Sequence, residues 1–155
     1  MGSQSAGAAV RLSRNKKVVA VWDRRDELRK GRIAAETLRA ACPEAASVRV
    51  ELEFRSGTGE ALVPQAYALF PPAKAHFVYP CPYGDCCGLY DLQAVALQAL
   101  HGGQRRTRGT LKCVGTRSRD RTIGRPCELQ MSYSIILTVE RRPQVEKLPV
   151  TAAEP

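Results

Sequence analysis

Alternation of apolar and charged positions is the strongest pattern in the chain. From Ser47 to Arg55 the residues change sides one by one. Val48, Val50, Leu52 and Phe54 share one face, and Arg49, Glu51, Glu53 and Arg55 share the other. That is the period of a half-buried antiparallel strand. The turn residues Ser56-Gly57-Thr58-Gly59 and the apolar segment from Ala61 to Phe70 predict a hairpin, with Pro64 assigning its second strand to a sheet edge or a bulge. A second alternating run sets Leu129, Met131, Tyr133, Ile135 and Leu137 on one face of a strand over Cys127 to Glu140. With Thr110 to Val114 it predicts a long hairpin closed by an Arg-rich loop. Lys16 to Trp22 and His76 to Tyr79 read as two further short strands.

Two segments read as helices. Asp23 is placed to cap a helix from Arg24 to Cys42 that Pro43 ends. Leu28, Ile33, Leu38 and Ala41 would lie near its inner side, with Arg25, Arg29, Arg32 and Arg39 towards solvent. Asp91 is placed to cap a second helix, LQAVALQAL, terminated by Gly102-Gly103. Its mostly apolar surface implies burial on more than one side. Helices together with antiparallel hairpins predict an α+β fold. A length of 155 residues suffices for one core, expected over residues 16–142, with residues 1–15 and 143–155 as tails that lack sustained periodicity.

No run approaches the roughly 18 apolar residues that span a bilayer, and the N-terminus carries no apolar signal segment. The expectation is a cytoplasmic protein without a membrane. In that reducing compartment six cysteines point to metal ligation rather than to disulfides.

The segment YPCPYGDCCGLYDL places Cys81 and Cys86 five positions apart around Pro82 and Gly84, with Gly88 after the cysteine pair. A tight turn of this kind lets two thiolates converge on one ion while nearby amides stabilise the sulfurs. Cys113 and Cys127 stand on either side of a loop, where pairing of the flanking strands would bring them together. Two such hairpins supply four thiolates to one structural Zn2+, with Cys81, Cys86 (or its neighbour Cys87), Cys113 and Cys127 as ligands. Adjacent side chains in extended backbone point to opposite faces, so only one of Cys86 and Cys87 is expected to ligate. Cys42, at a helix end, reads as a buried core thiol.

The pattern C-P-x-x-D-C-x-G at Cys81 to Gly88, followed by C-x-G at Cys113 and a lone Cys127, resembles the zinc-ribbon class and, more closely, small uncharacterised bacterial proteins with such a knuckle. The resemblance spans about Phe77 to Ile135 and implies a zinc-ribbon-like module there. It favours Cys86 over Cys87. It departs from the usual C-x2-C knuckle, since the first pair here is C-x4-C and the second is separated by thirteen residues.

Four cysteines close a zinc shell, whereas catalytic zinc keeps an open position for water. His76 and His101 are the only histidines, and neither belongs to H-E-x-x-H or to the deaminase pattern. No nucleophile elbow or phosphate loop is present, so the chain reads as non-enzymatic, with no small-molecule substrate evident. The charge is concentrated: between His101 and Cys127 eight basic residues face only Asp120, which accounts for +7 of the formal +9. This predicts non-specific nucleic-acid binding, to DNA or RNA, through Arg105, Arg106, Arg108, Arg117, Arg119, Arg121 and Arg125. The alternative is a protein-interaction or scaffolding module whose basic loop docks an acidic protein.

Overall fold

A computed structural model of the chain describes residues 23–117 and 124–140. The strand expected at Lys16 to Trp22, both tails, Arg119 and Arg121 lie outside these. Among the described residues three helices and eight strands form an α+β fold. In chain order these are α1 (23–34), α2 (Leu38–Ala41), β1 (Ala45–Arg55), β2 (Gln65–Leu69), β3 (Val78–Pro80), β4 (Leu89–Asp91), α3 (Gln93–His101), β5 (Arg106–Lys112), β6 (Thr116–Arg117), β7 (Arg125–Pro126) and β8 (Gln130–Val139).

The alternating segments form the main sheet, of order β2-β1-β8-β5 with all neighbours antiparallel. β1 and β8 pair along nearly their whole length, from Ala45↔Val139 to Arg55↔Gln130. That register puts the two apolar rows on the same face: Val48, Val50, Leu52 and Phe54 of β1 lie beside Met131, Ile135 and Leu137 of β8, all buried. A slip of one residue would turn the slipped strand's apolar row to water, so the pattern excludes such a shift. β2 joins through the turn at Ser56–Gly59, where Gly59 takes φ 88° as few other residues would. It is an edge strand, and Pro64 stands just before it, where no ladder hydrogen bond is required.

The first predicted helix is broken, which corrects the expectation of one helix over residues 24–42 and makes three helices of two. α1 ends after residue 34, and Thr37 adopts extended backbone (ψ 158°) and bridges to Lys74. The spacing explains the break. Leu28, Ile33 and Leu38 follow one another at five-residue steps, each of which rotates about 140° around a helix, so no straight helix could bury all three. Leu38 is fully buried while Ile33 is 69% exposed. Thr37 caps α2 by accepting from the Ala40 amide at 3.2 Å, and Lys74 Nζ donates to the Ala35 carbonyl at 2.8 Å, just past the end of α1.

α3 begins where Asp91 Oδ1 accepts from the Gln93 amide at 2.9 Å. The Gln93 side chain accepts from the Phe77 amide and donates to the Ala75 carbonyl, both at 2.8 Å, which ties the helix to the strand entering the cysteine segment. Ala96, Ala99 and Leu100 are buried but Val95 is partly exposed, so the helix is covered on one side rather than on several. α2, α3, the core face of the sheet and the cysteine segment share one apolar cluster. Its centre includes Tyr90, whose ring lies 5.9 Å from that of Phe54 and whose hydroxyl donates to the Leu129 carbonyl at 2.9 Å.

Replacing Leu38 by Ala should lower stability by about 2–5 kcal/mol because a fully buried side chain leaves a cavity, whereas Thr37→Ala should cost about 1 kcal/mol through loss of the cap. Urea denaturation of the two variants distinguishes these magnitudes, and equal losses would contradict the helix break.

Candidate metal centre

Two hairpins carry the cysteines. In the first, β3 pairs with β4 from Val78↔Asp91 to Pro80↔Leu89, and the ladder extends to a 3.0 Å bond from the Cys81 amide to the Gly88 carbonyl. The chain then turns tightly, with the Cys86 amide on the Tyr83 carbonyl at 3.1 Å. In the second, β5 pairs with β8 as far as Lys112↔Gln130. One step beyond, the Cys113 amide meets the Leu129 carbonyl, and the Cys127 amide meets the Gly115 carbonyl, both at 2.9 Å. β6 and β7 continue this arm as Thr116↔Pro126 and Arg117↔Arg125.

The tips of the two hairpins face each other, and the sulfurs of Cys81, Cys86, Cys113 and Cys127 all lie within 4.8 Å of one another, each residue buried. Cys81 Sγ stands 3.8 Å from Cys127 Sγ, and Cys86 Sγ stands 3.6 Å from Cys113 Sγ. A tetrahedron with metal–sulfur bonds of about 2.3 Å has edges of about 3.8 Å, whereas a disulfide requires about 2.05 Å. The separations therefore suit four sulfurs around one metal ion.

The backbone supports the sulfurs as a thiolate site requires. The Gly88 amide donates to Cys86 Sγ at 3.3 Å and the Gly115 amide to Cys113 Sγ at 3.4 Å, and a backbone hydrogen bond from Tyr83 reaches the Cys81 thiol. Each donor lies two residues after its cysteine. Burial pushes the Cys81 thiol well above the ordinary range, and the Cys86 thiol to about 12. The amide bonds oppose this only in part, so without a cation these groups keep their protons.

Close approach of the hairpins depends on Gly88 and Gly115. A Cβ on Gly115 would lie 2.5 Å from Gly88 Cα and 2.9 Å from Cys86 Sγ, and one on Gly88 would lie 3.2 Å from the Gly115 amide. Backbone meets backbone between two of the four sulfurs, and no side chain fits there. From outside the hairpins, Arg24 of α1 donates through its guanidinium to the Cys86 carbonyl and, at 3.5 Å, to that of Cys81. Arg117 lies 3.7 Å over the Tyr83 ring and donates to Asp85 Oδ1 at 3.3 Å.

Of the adjacent pair, Cys86 is wholly buried in the cluster and Cys87 is not part of it. The Cys87 thiol contacts Thr116 Oγ1 at 3.6 Å and its amide at 3.5 Å, and the Thr116 amide is the main cause of a lowered thiol pKa. Cys42 is buried against α3, with its sulfur 3.7 Å from the Leu100 carbonyl. His76 lies beside Gly31 and His101 ends α3 in solvent, and neither belongs to the sulfur cluster.

The basic residues are dispersed differently from a single Arg-rich loop. Arg106 and Arg108 are on strand β5, exposed, in one row with Lys112, and Arg105 precedes them in solvent. Arg117 is half-buried in the knuckle contacts already given. Arg125 lines a cleft of about 1000 Å³ together with Arg117, Glu60 and Glu128. Nothing in the sequence signals the tether of Arg24 or the stacking of Arg117, but the repeated C-x-G at Cys86 and Cys113 is the visible trace of the glycine contact. Compared with known protein families, with characterised proteins and with solved structures, the chain shows no match.

The folded chain should take up one thiophilic divalent ion, measured by native mass spectrometry. Cys113→Ser and Cys127→Ser should lose it together with the thermal stability it confers, whereas Cys42→Ser and Cys87→Ser should retain it. Gly115→Ala should weaken the metal by roughly 10–100-fold, as loss of an outer-shell contact does. Binding expels thiol protons, so affinity should rise with pH and fall on acidification. A metal-free folded protein, or uptake unchanged in Cys113→Ser, would refute the assignment.

Proposed function

We propose that the protein is a zinc-stabilised binding module, without enzymatic activity, that holds the backbone of DNA or RNA with little sequence preference. Zinc suits the site because four thiolates at tetrahedral separations complete its preferred shell, and a closed shell offers no position for a reactive water. Free thiols throughout suit the reducing cytoplasm. Among the described residues no helix is long and apolar enough to cross a membrane.

The observation that carries the reading is the solvent-facing row of β5. Arg106, Arg108 and Lys112 alternate with inward residues along an edge strand. Their neighbours on β8 are the uncharged Ile136, Ser134 and Gln130. The outer face of the next strand carries Arg49, Glu51, Glu53 and Arg55, two of each sign, with Arg49 and Glu51 paired with each other at 2.8 Å. Arg106 and Arg108 stand two residues apart, about 6.6–6.8 Å, with Lys112 two such steps further on past Thr110. A row of cations at these intervals, flanked by uncharged side chains, suits the phosphates of a nucleic-acid backbone, and contacts of this kind confer affinity without base selection. The zinc hairpins brace the end of this row, since Cys113 directly follows Lys112.

Binding to random-sequence duplex DNA and to RNA should weaken with salt, by a log–log slope of about −0.9 per phosphate contacted on the duplex. Arg106→Glu with Arg108→Glu should reduce the magnitude of that slope by about two contacts and leave metal content unchanged, because both side chains are exposed and lie off the metal shell. Absence of binding at low salt would reject the nucleic-acid reading and leave an acidic protein as the partner of the row.

A further inference from the structure

The two edges of the four-stranded sheet have opposite character. β5 carries Arg106, Arg108 and Lys112, whereas β2 and its flanks carry no charge: from Ala61 to Ala73 the chain has no acidic or basic residue. The only long polar side chains of β2 bond to each other, the Tyr67 hydroxyl donating to Gln65 Oε1 at 2.8 Å. Two large apolar residues flank the strand in solvent, Val63 at 82% and Phe70 at 58% exposure. Edge strands of monomers are usually blunted by lysine or other charges. In a chain of net charge +9 this edge has none, although charge is plentiful elsewhere.

We propose that the β2 edge is an interface between two copies of this chain, which pair antiparallel through Gln65–Leu69 about a two-fold axis at Tyr67. Two bodies of the same high charge repel at most approaches, and the uncharged edge is where that repulsion is least. The strand is also self-complementary about Tyr67. Ala66 meets Ala68 of the second copy, Gln65 meets Leu69, and the flanks set Pro64 against Phe70 and Val63 against Pro71. Apolar positions thus oppose apolar ones outside the ladder, and the outer-face alanines leave the backbones free to approach. Pro64, Pro71 and Pro72 limit the ladder to five residues, so the contact is small and the dimer depends on concentration. This inference rests on the β2 edge alone and is independent of the nucleic-acid reading.

Sedimentation of the full chain without nucleic acid tests it. The mass should rise with concentration from 17.0 kDa towards twice that value. Ala66→Lys with Ala68→Lys places like charges opposite each other at both 66–68 pairs, and should weaken the dimer on the order of tenfold or more. Ala66→Lys with Ala68→Glu places opposite charges there, and also faces Glu51 and Arg49 of β1 favourably, so it should retain the dimer. A monomer at every concentration overturns the proposal, including the case in which the chain's own N-terminal segment covers the edge. So does a dimer indifferent to the double lysine variant. If that variant fails to fold, hydrogen exchange of the wild-type β2 amides decides: protection that grows with dimer mass supports the interface, and protection that does not overturns it.

Discussion

The contact between Gly88 and Gly115 is the constraint on which the rest of the site turns. Four sulfurs from two hairpins converge within 4.8 Å only because the backbones meet there without intervening side chains, at distances a single added carbon would violate. The same two residues turn their amides onto Cys86 and Cys113. One short element therefore does two things: it admits the second hairpin and supplies part of the electrostatic support for the sulfurs. A larger residue at either position would push the hairpins apart and take the amide from its sulfur.

The sheet transmits its register to that contact. β8 is held on one side by β1 and on the other by β5, and the apolar rows of β1 and β8 exclude a one-residue slip between them. Continuing the β5–β8 ladder by one step places Cys113 beside Leu129, and Tyr90 bonds the same Leu129 from the first hairpin. Leu129 thus joins both cysteine hairpins to the main core. Arg24 adds a tether from α1, so the helix, the hairpins and the sheet meet around the sulfurs rather than at separate places.

Legibility in the sequence followed the strength of each local signal. The period-two runs were readable because burial of one face leaves alternation in the residue types, and the C-x-G repeats were readable because a thiolate turn needs a small residue at a fixed offset. The division of the first helix escaped because capping by Thr37 was masked by a continuous series of good helix formers, and only the five-residue spacing of Leu28, Ile33 and Leu38 betrayed it. The pattern starts the strand only at Thr110 and leaves Arg106 and Arg108 ahead of it, because arginine carries little strand preference. Their place on β5 is set by pairing with β8, a tertiary effect. The roles of Arg24 and Arg117 depend on contacts across 62 and 32 residues and have no local signature at all.

Burial of the four thiols links this architecture to its energetics. In the metal-free fold Cys81 and Cys86 are held protonated by their surroundings, while the unfolded chain ionises its thiols in the ordinary range near 8.5. As pH rises through that range the unfolded state loses protons that the metal-free fold retains, so the metal-free fold becomes less stable. A bound cation reverses the sign, because it takes the thiolate form and releases the protons at once. The same desolvation that makes the empty site unfavourable at high pH strengthens the attraction between thiolates and cation when the site is filled, since little water competes for either. Packing beneath Tyr90 and Phe54 would therefore contribute to the affinity for a metal held there, and a metal so bound would in turn help to keep that packing in place.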